Sequence, residues 1–94
     1  MSKIALITGA SRGIGRAITI ALAQNGYDCA INYAKNASAA EEVRKSVETA
    51  GRRAVIVQGD VGSSADRERI VGETISAFGP IDVLVNNAGV APEM

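Results

Sequence analysis

Apolar residues along this chain alternate between short unbroken runs and longer stretches in which they recur every three or four positions. Lys3-Ile4-Ala5-Leu6-Ile7-Thr8 is almost continuously apolar, the pattern of a strand covered on both faces. Over residues 13–25 the period changes. Ile14, Ala17, Ile18, Ala21 and Leu22 fall at helical spacing and predict one buried helical face, with Gly26 at the position of a left-handed helix end. Cys29-Ala30-Ile31 begins a second short strand that runs into Asn32 and Tyr33. Ser38 and Glu41 have capping-box spacing and predict a helix through Ala40, Val43, Val47 and Ala50 to Gly51. Ala54-Val55-Ile56-Val57 reads as a third strand. Ser63 and Asp66 then cap a helix lined by Ile70, Val71, Ile75 and Phe78, which Gly79-Pro80 stops. Ile81-Asp82-Val83-Leu84-Val85 is the fourth strand. The order βαβαβαβ argues for an α/β fold with a parallel sheet and right-handed helical crossovers.

Length bears on how such a sheet is covered. The chain has 94 residues, and three helices barely cover four strands. An apolar strand left at an edge invites another strand. The expectation is that residues 1–94 are the N-terminal portion of a single larger domain whose remainder is absent from the chain.

Charge and composition remove other classes. Lys plus Arg and Asp plus Glu both come to 10, so the net charge is zero, without the basic excess of a nucleic-acid binder. There is no histidine and a single cysteine, Cys29, which leaves no zinc site, no disulfide within the chain and no Ser-His-Asp or Cys-His arrangement. Cys29 reads as a small buried hydrophobe. No apolar run approaches the ~20 residues of a membrane span, and the chain reads as cytoplasmic. Glu41-Glu42, Arg44-Lys45, Arg52-Arg53 and residues 66–69 read as solvated faces with local pairing.

The chemistry-bearing segment is Thr8-Gly9-Ala10-Ser11-Arg12-Gly13-Ile14-Gly15, between the first strand and the first helix. So tight a turn needs glycines where a Cβ would collide with a ligand or a packed strand. Unpaired N–H groups at the helix start, with the helix dipole behind them, favour an anion such as a pyrophosphate. A loop that merely turns the chain is the bland alternative, and the strand-to-helix context favours phosphate binding.

The spacing is Thr-Gly-x-x-x-Gly-x-Gly. Together with Gly59-Asp60-Val61 and Asn86-Asn87-Ala88-Gly89, each after a strand, it resembles the N-terminal part of the short-chain dehydrogenases/reductases. The 3-oxoacyl-[acyl-carrier-protein] reductase-like members are the most similar. The resemblance implies a Rossmann-type doubly wound sheet with strand order 3-2-1-4. It gives Gly9, Gly13 and Gly15 the shaping of the loop and puts the Ile14 backbone near the pyrophosphate. Asp60 would accept from the adenine amino group while the Val61 backbone holds the ring, and Asn87, Ala88 and Gly89 would line the ribose region. Asp60 as a turn former and Asn86-Asn87 as strand-end partners remain the structural alternatives.

Charge then addresses the cofactor. NAD binding places a carboxylate at the end of the second strand, and a 2′-phosphate asks for the reverse. That strand ends Asn32-Tyr33-Ala34-Lys35, and Arg12 sits in the glycine loop. NADP(H) is therefore favoured over NAD(H), with Ser11 and Asn32 adding neutral hydrogen bonds to the same phosphate. Ordinary solvated roles for Arg12 and Lys35 stay open.

The family's catalytic Tyr-x-x-x-Lys pair is not present, since Ile31 follows Tyr27 and Ala37 follows Tyr33 at that spacing. No catalytic residue is assigned, and these 94 residues alone are expected to be inactive. Two accounts follow. One is the cofactor-binding portion of an oxidoreductase that passes hydride between NADPH and a carbonyl or alcohol, such as a 3-oxoacyl thioester, in a homo-oligomer when full-length. The other is a truncated, non-catalytic nucleotide-binding or association module.

Overall fold

The structure, a computed structural model, describes residues 3–87. Ala88 and Gly89 therefore lie outside the described residues. Strands β1 (Lys3–Ile7), β2 (Tyr27–Tyr33), β3 (Ala54–Gln58) and β4 (Val83–Val85) alternate with helices α1 (Gly13–Gln24), α2 (Ala37–Thr49) and α3 (Ser64–Phe78). The strands form one sheet in the order β3-β2-β1-β4, with every pairing parallel. That is the expected order, and it carries the C-terminal ends of all four strands to one rim.

Side-chain alternation divides the core into two layers. Ala5, Ile7, Cys29 and Ile31 face α1 and α2, where Ala23, Ala40, Val43 and Val47 meet them. Leu6, Ala30 and Val57 point the other way, onto Ile70 of α3. Strands buried on both sides need apolar residues at successive positions, which is why β1 and β2 read as continuous runs.

α1 departs from the predicted face. Its buried residues are Gly15, Thr19 and Ala23, whereas Ile14 is 67% exposed and Ala17 and Ala21 are exposed. The helix is rotated toward its small residues because a Cβ on Gly15 would collide with the Gly9 carbonyl oxygen and lie 2.7 Å from Asn87 Nδ2. Close approach at the loop thus overrides the largest apolar stripe. Thr19 tolerates burial by donating its hydroxyl to the Gly15 carbonyl at 2.8 Å.

α2 starts at Ala37, one residue before the predicted cap at Ser38. Asn36 is the N-cap, its Oδ1 accepting from Ala39 N–H at 3.0 Å; asparagine caps at least as well as serine. Glu41 turns instead to Arg44. At α3 the predicted Ser63 cap is present, accepting from Asp66 N–H at 3.2 Å. Ile70 and Thr74 are buried there, and Val71 and Ile75 stay exposed.

β4 is shorter than the predicted run. Before it, Asp82 continues the pairing with β1 through its N–H to the Ile4 carbonyl and its carboxylate to Ile4 N–H, both at 2.8 Å. Its register sets Leu84 beside Leu6, with Leu84 58% exposed. Among the described residues no helix is long and apolar enough to cross a membrane.

Arg52 and Arg53 do not form the locally paired solvated face that the sequence suggested, although Arg53 keeps 61% of its side-chain exposure. They enclose Asp28 of β2, whose side chain is fully buried. Arg52 Nε and the Arg53 backbone N–H reach Asp28 Oδ1 at 3.1 and 2.9 Å, and Arg53 Nε reaches Oδ2 at 2.9 Å. A buried carboxylate is tolerable only when paired and hydrogen-bonded in this way. Arg53 also lies 4.9 Å over the Phe78 ring, which ties the end of α3 to the start of β3.

Candidate functional site

The glycine loop leaves β1 at Ile7 and enters α1 at Gly13. Gly9 and Gly13 adopt φ values of 59° and 60°, the left-handed region that side chains resist. Arg12 occupies the N-cap position in extended conformation and supplies no side-chain cap, and the first turn holds no acidic residue. α2 has Asn36, and α3 has both Ser63 and Asp66. The positive end of the α1 dipole is thus left uncompensated, with its leading N–H groups beyond the reach of the helix's own carbonyls.

The loop is braced from beneath. Asn87 Nδ2 donates to the Gly9 carbonyl at 3.1 Å, through the space that the missing Gly15 Cβ leaves. The single O–H of Thr8 is shared between Asn86 Oδ1 and the Val85 carbonyl, both 3.3 Å from its Oγ1. Ala10 N–H reaches the Asn32 carbonyl at 2.8 Å.

Beside the loop lies a cavity of about 410 Å³ lined by Gly9, Ser11, Arg12 and residues 33–36 of the β2 end. It therefore brings together Arg12 and Lys35, and no carboxylate lines it. Among the described residues neither cation has an ion-pair partner.

Asn32 differs from its expected role. It is only 2% exposed, and its amide is engaged inside the protein. Oδ1 accepts from Gly9 N–H at 3.1 Å, while Nδ2 donates to the Val57 and Gly59 carbonyls at 3.1 and 3.2 Å. An amide has two N–H donors, so none is left for a 2′-phosphate.

Asp60 and Val61 follow β3 and do not line the Arg12 cavity. They border a larger cavity of about 610 Å³ together with Leu6, Leu84 and Asn86. Asp60 Oδ1 accepts from Gly62 N–H at 2.8 Å, an Asx turn. Its Oδ2 and the Val61 N–H have no partner among the described residues. The turn-forming and ligand-facing readings of Asp60 thus use different oxygens.

The supports of this loop were missed from sequence. Asp66 Oδ2 accepts from Asp60 N–H at 2.8 Å, and Arg67 Nη1 and Arg69 Nη2 donate to the Val61 and Gln58 carbonyls, both at 2.7 Å. Their place in the first two turns of the helix leaving the loop is the signal that could have found them.

Cys29 is buried, and burial first, then the Asp28 charge, pushes its thiol from 9.0 up to about 12 against an opposing pull from Arg52. It stays protonated and is no nucleophile.

Comparison with known proteins follows the same outline. A family model described as short chain dehydrogenase matches residues 3–94. The chain is 43% identical over 93 residues to a 3-oxoacyl-[acyl-carrier-protein] reductase FabG of Staphylococcus epidermidis, covering 99% of this chain and 38% of that protein. A short-chain dehydrogenase/reductase of Serratia marcescens, solved in a doubly substituted form, superposes with a TM-score of 0.90 at 43% identity, over 95% of this chain and 36% of that one. A Burkholderia cenocepacia protein solved with bound NADP gives a TM-score of 0.86 at 33% identity, over 90% of this chain and 33% of that one. The chain thus spans about a third of the length of these relatives.

Proposed function

The chain belongs to the short-chain dehydrogenase family, and from that premise we propose that it forms the dinucleotide-binding portion of an NADP(H)-dependent oxidoreductase acting on a carbonyl or alcohol substrate. The cofactor, when bound, supplies the hydride; the residues described here hold and orient it. Gly9, Gly13 and Gly15 keep the loop open to the pyrophosphate, which the leading N–H groups around Ile14 and the α1 dipole attract. Asp60 Oδ2 and the Val61 N–H are the acceptor and donor left for an adenine edge. Asn87, Ala88 and Gly89 border the ribose on this reading.

The observation that carries the preference for NADP(H) is the cavity shared by Gly9, Ser11, Arg12 and Lys35, with no carboxylate on its wall. A 2′-phosphate there gains charge-assisted hydrogen bonds from Arg12, and Ser11 adds a hydroxyl. A 2′-hydroxyl gains far less. Kinship with a 3-oxoacyl-[acyl-carrier-protein] reductase supports a 3-oxoacyl thioester as the substrate class.

The rest of the fold belongs to this proposal. Among the described residues β4 pairs only with β1, and the sheet continues from its open edge, with a further helix over Leu84. A homo-oligomer and a cytoplasmic setting complete the reading.

The test is Arg12→Ala, with NADPH and NADH titrated separately. Affinity for NADPH falls by about one to two decades, the equivalent of ~1.5–3 kcal/mol, while that for NADH is unchanged. Equal loss for both, or a parent protein that prefers NADH, overturns the assignment.

A further inference from the structure

Asn32 is a nearly inaccessible side chain that ties two separate stretches of backbone to the end of β2. Its Oδ1 receives Gly9 N–H in the glycine loop, and its Nδ2 is spent on Val57 and Gly59 at the end of β3. The amide orientation is fixed by these partners: one N–H faces the oxygen and two carbonyls face the nitrogen, so a flipped amide would oppose like to like. Backbone bonds reinforce the junction. Ala10 N–H reaches the Asn32 carbonyl at 2.8 Å, and Gly59 N–H reaches the Tyr33 carbonyl at 2.9 Å.

We propose that Asn32 is a positioning residue, which locks the glycine loop and the loop at residues 59–62 into one shared geometry and thereby couples binding of the pyrophosphate to binding of the adenosine within the dinucleotide. This deepens the reading given under Proposed function and rests on it. A short side chain with one acceptor and two donors is required. Aspartate would turn a carboxylate toward two carbonyls, serine would offer a single donor, and leucine would strip the side-chain partner from the Gly9 N–H and from both carbonyls.

The consequence is thermodynamic. A ligand that orders one loop through Asn32 lowers the ordering cost for a ligand at the other, so each tightens the other by the same factor. Pyrophosphate and adenosine, probes of the two loops, report that factor when each is titrated with and without saturating amounts of the other.

In the full protein each ligand tightens the other severalfold. In Asn32→Leu the factor falls to one, and NADPH binds about 10- to 100-fold more weakly. A role confined to stability would lower the unfolding midpoint and leave the factor untouched, which overturns the proposal. If Asn32→Leu does not fold, the parent decides it by NMR: adenosine alone shifts the Gly9 amide and the Asn32 side-chain amide. No shift there overturns the proposal. NADPH binding with uncoupled halves removes this inference alone, whereas a parent that binds no NADPH removes the cofactor reading and this inference with it.

Discussion

Replacing Gly15 by alanine tests how tightly the glycine loop is built. The added Cβ would lie 2.7 Å from Asn87 Nδ2 and 3.0 Å from Ala10 Cα and would collide with the Gly9 carbonyl oxygen, where ordinary contact begins at 3.4 Å. Two of these obstacles are backbone, so α1 must retreat from the β1 end or the loop must deform. Overpacking of this kind costs about 1–3 kcal/mol, and a backbone obstacle puts it near the upper figure. Losing the Asn87–Gly9 hydrogen bond adds about 1 kcal/mol, and the better helix propensity of alanine returns about 1 kcal/mol. The net expectation is a destabilisation of about 3 kcal/mol. Gly72 supplies the control, because it lies mid-α3, is exposed, and has nothing within 4 Å of its would-be Cβ. Gly72→Ala therefore stabilises by about 0.8–1 kcal/mol. Urea denaturation followed by circular dichroism measures both changes. A Gly15→Ala protein as stable as the parent, or two variants shifting in the same direction, would refute the close-approach argument.

Other outcomes follow from features away from the loop. Asp28→Asn removes the charge that Arg52 and Arg53 enclose. The arginine side chains keep 29% and 61% of their exposure and can return to water, so the cost is about 2–3 kcal/mol rather than the full ~3–5 of a sealed pair; urea midpoints measure it, and an unchanged midpoint contradicts the pairing. With the Cys29 thiol held at about 12 against 9.0, the folded state keeps a proton that the unfolded state loses. This contribution is therefore flat below about pH 9 and lost at up to about 1.4 kcal/mol per unit between there and about 12. Cys29→Ala removes that slope, read as the difference between the two proteins' stability-versus-pH curves. Residues 1–94 alone reduce no ketone with NADPH, since Tyr27 and Tyr33 lack a lysine four residues later; turnover by purified material of this length contradicts it.

The strands, the helices and the glycine loop were legible because each is written locally. β1 and β2 are apolar at consecutive positions, and the loop's glycines stand where left-handed φ and close approach require them. What escaped depended on partners distant in sequence. The rotation of α1 is set by Gly9 and Asn87 pressing on Gly15, which no helical period records. Asp28 carries no signal of its own in the sequence, because the Arg52 and Arg53 that enclose it lie more than twenty residues away. Asn32 stood at a strand end, where a ligand contact and a buried brace have the same sequence signature; only the three backbone partners distinguish them. The capping-box spacing points to Ser38 because Glu41 follows it by three, whereas Ala39 follows Asn36; Asn36 caps through its side chain alone.

Parallel pairing places the Asp28 clamp and the ligand-side loops at opposite ends of the same strands. Four residue steps along β2 separate Asp28 from Asn32, about 13 Å along the strand, beyond the ~7–10 Å within which substitutions usually couple. Substitutions at the two ends should therefore combine additively. Mutational drift at the glycine-loop rim can proceed while the Asp28–Arg52–Arg53 clamp holds the sheet together, which makes the proposed nucleotide preference and foldability separately evolvable along the length of one strand.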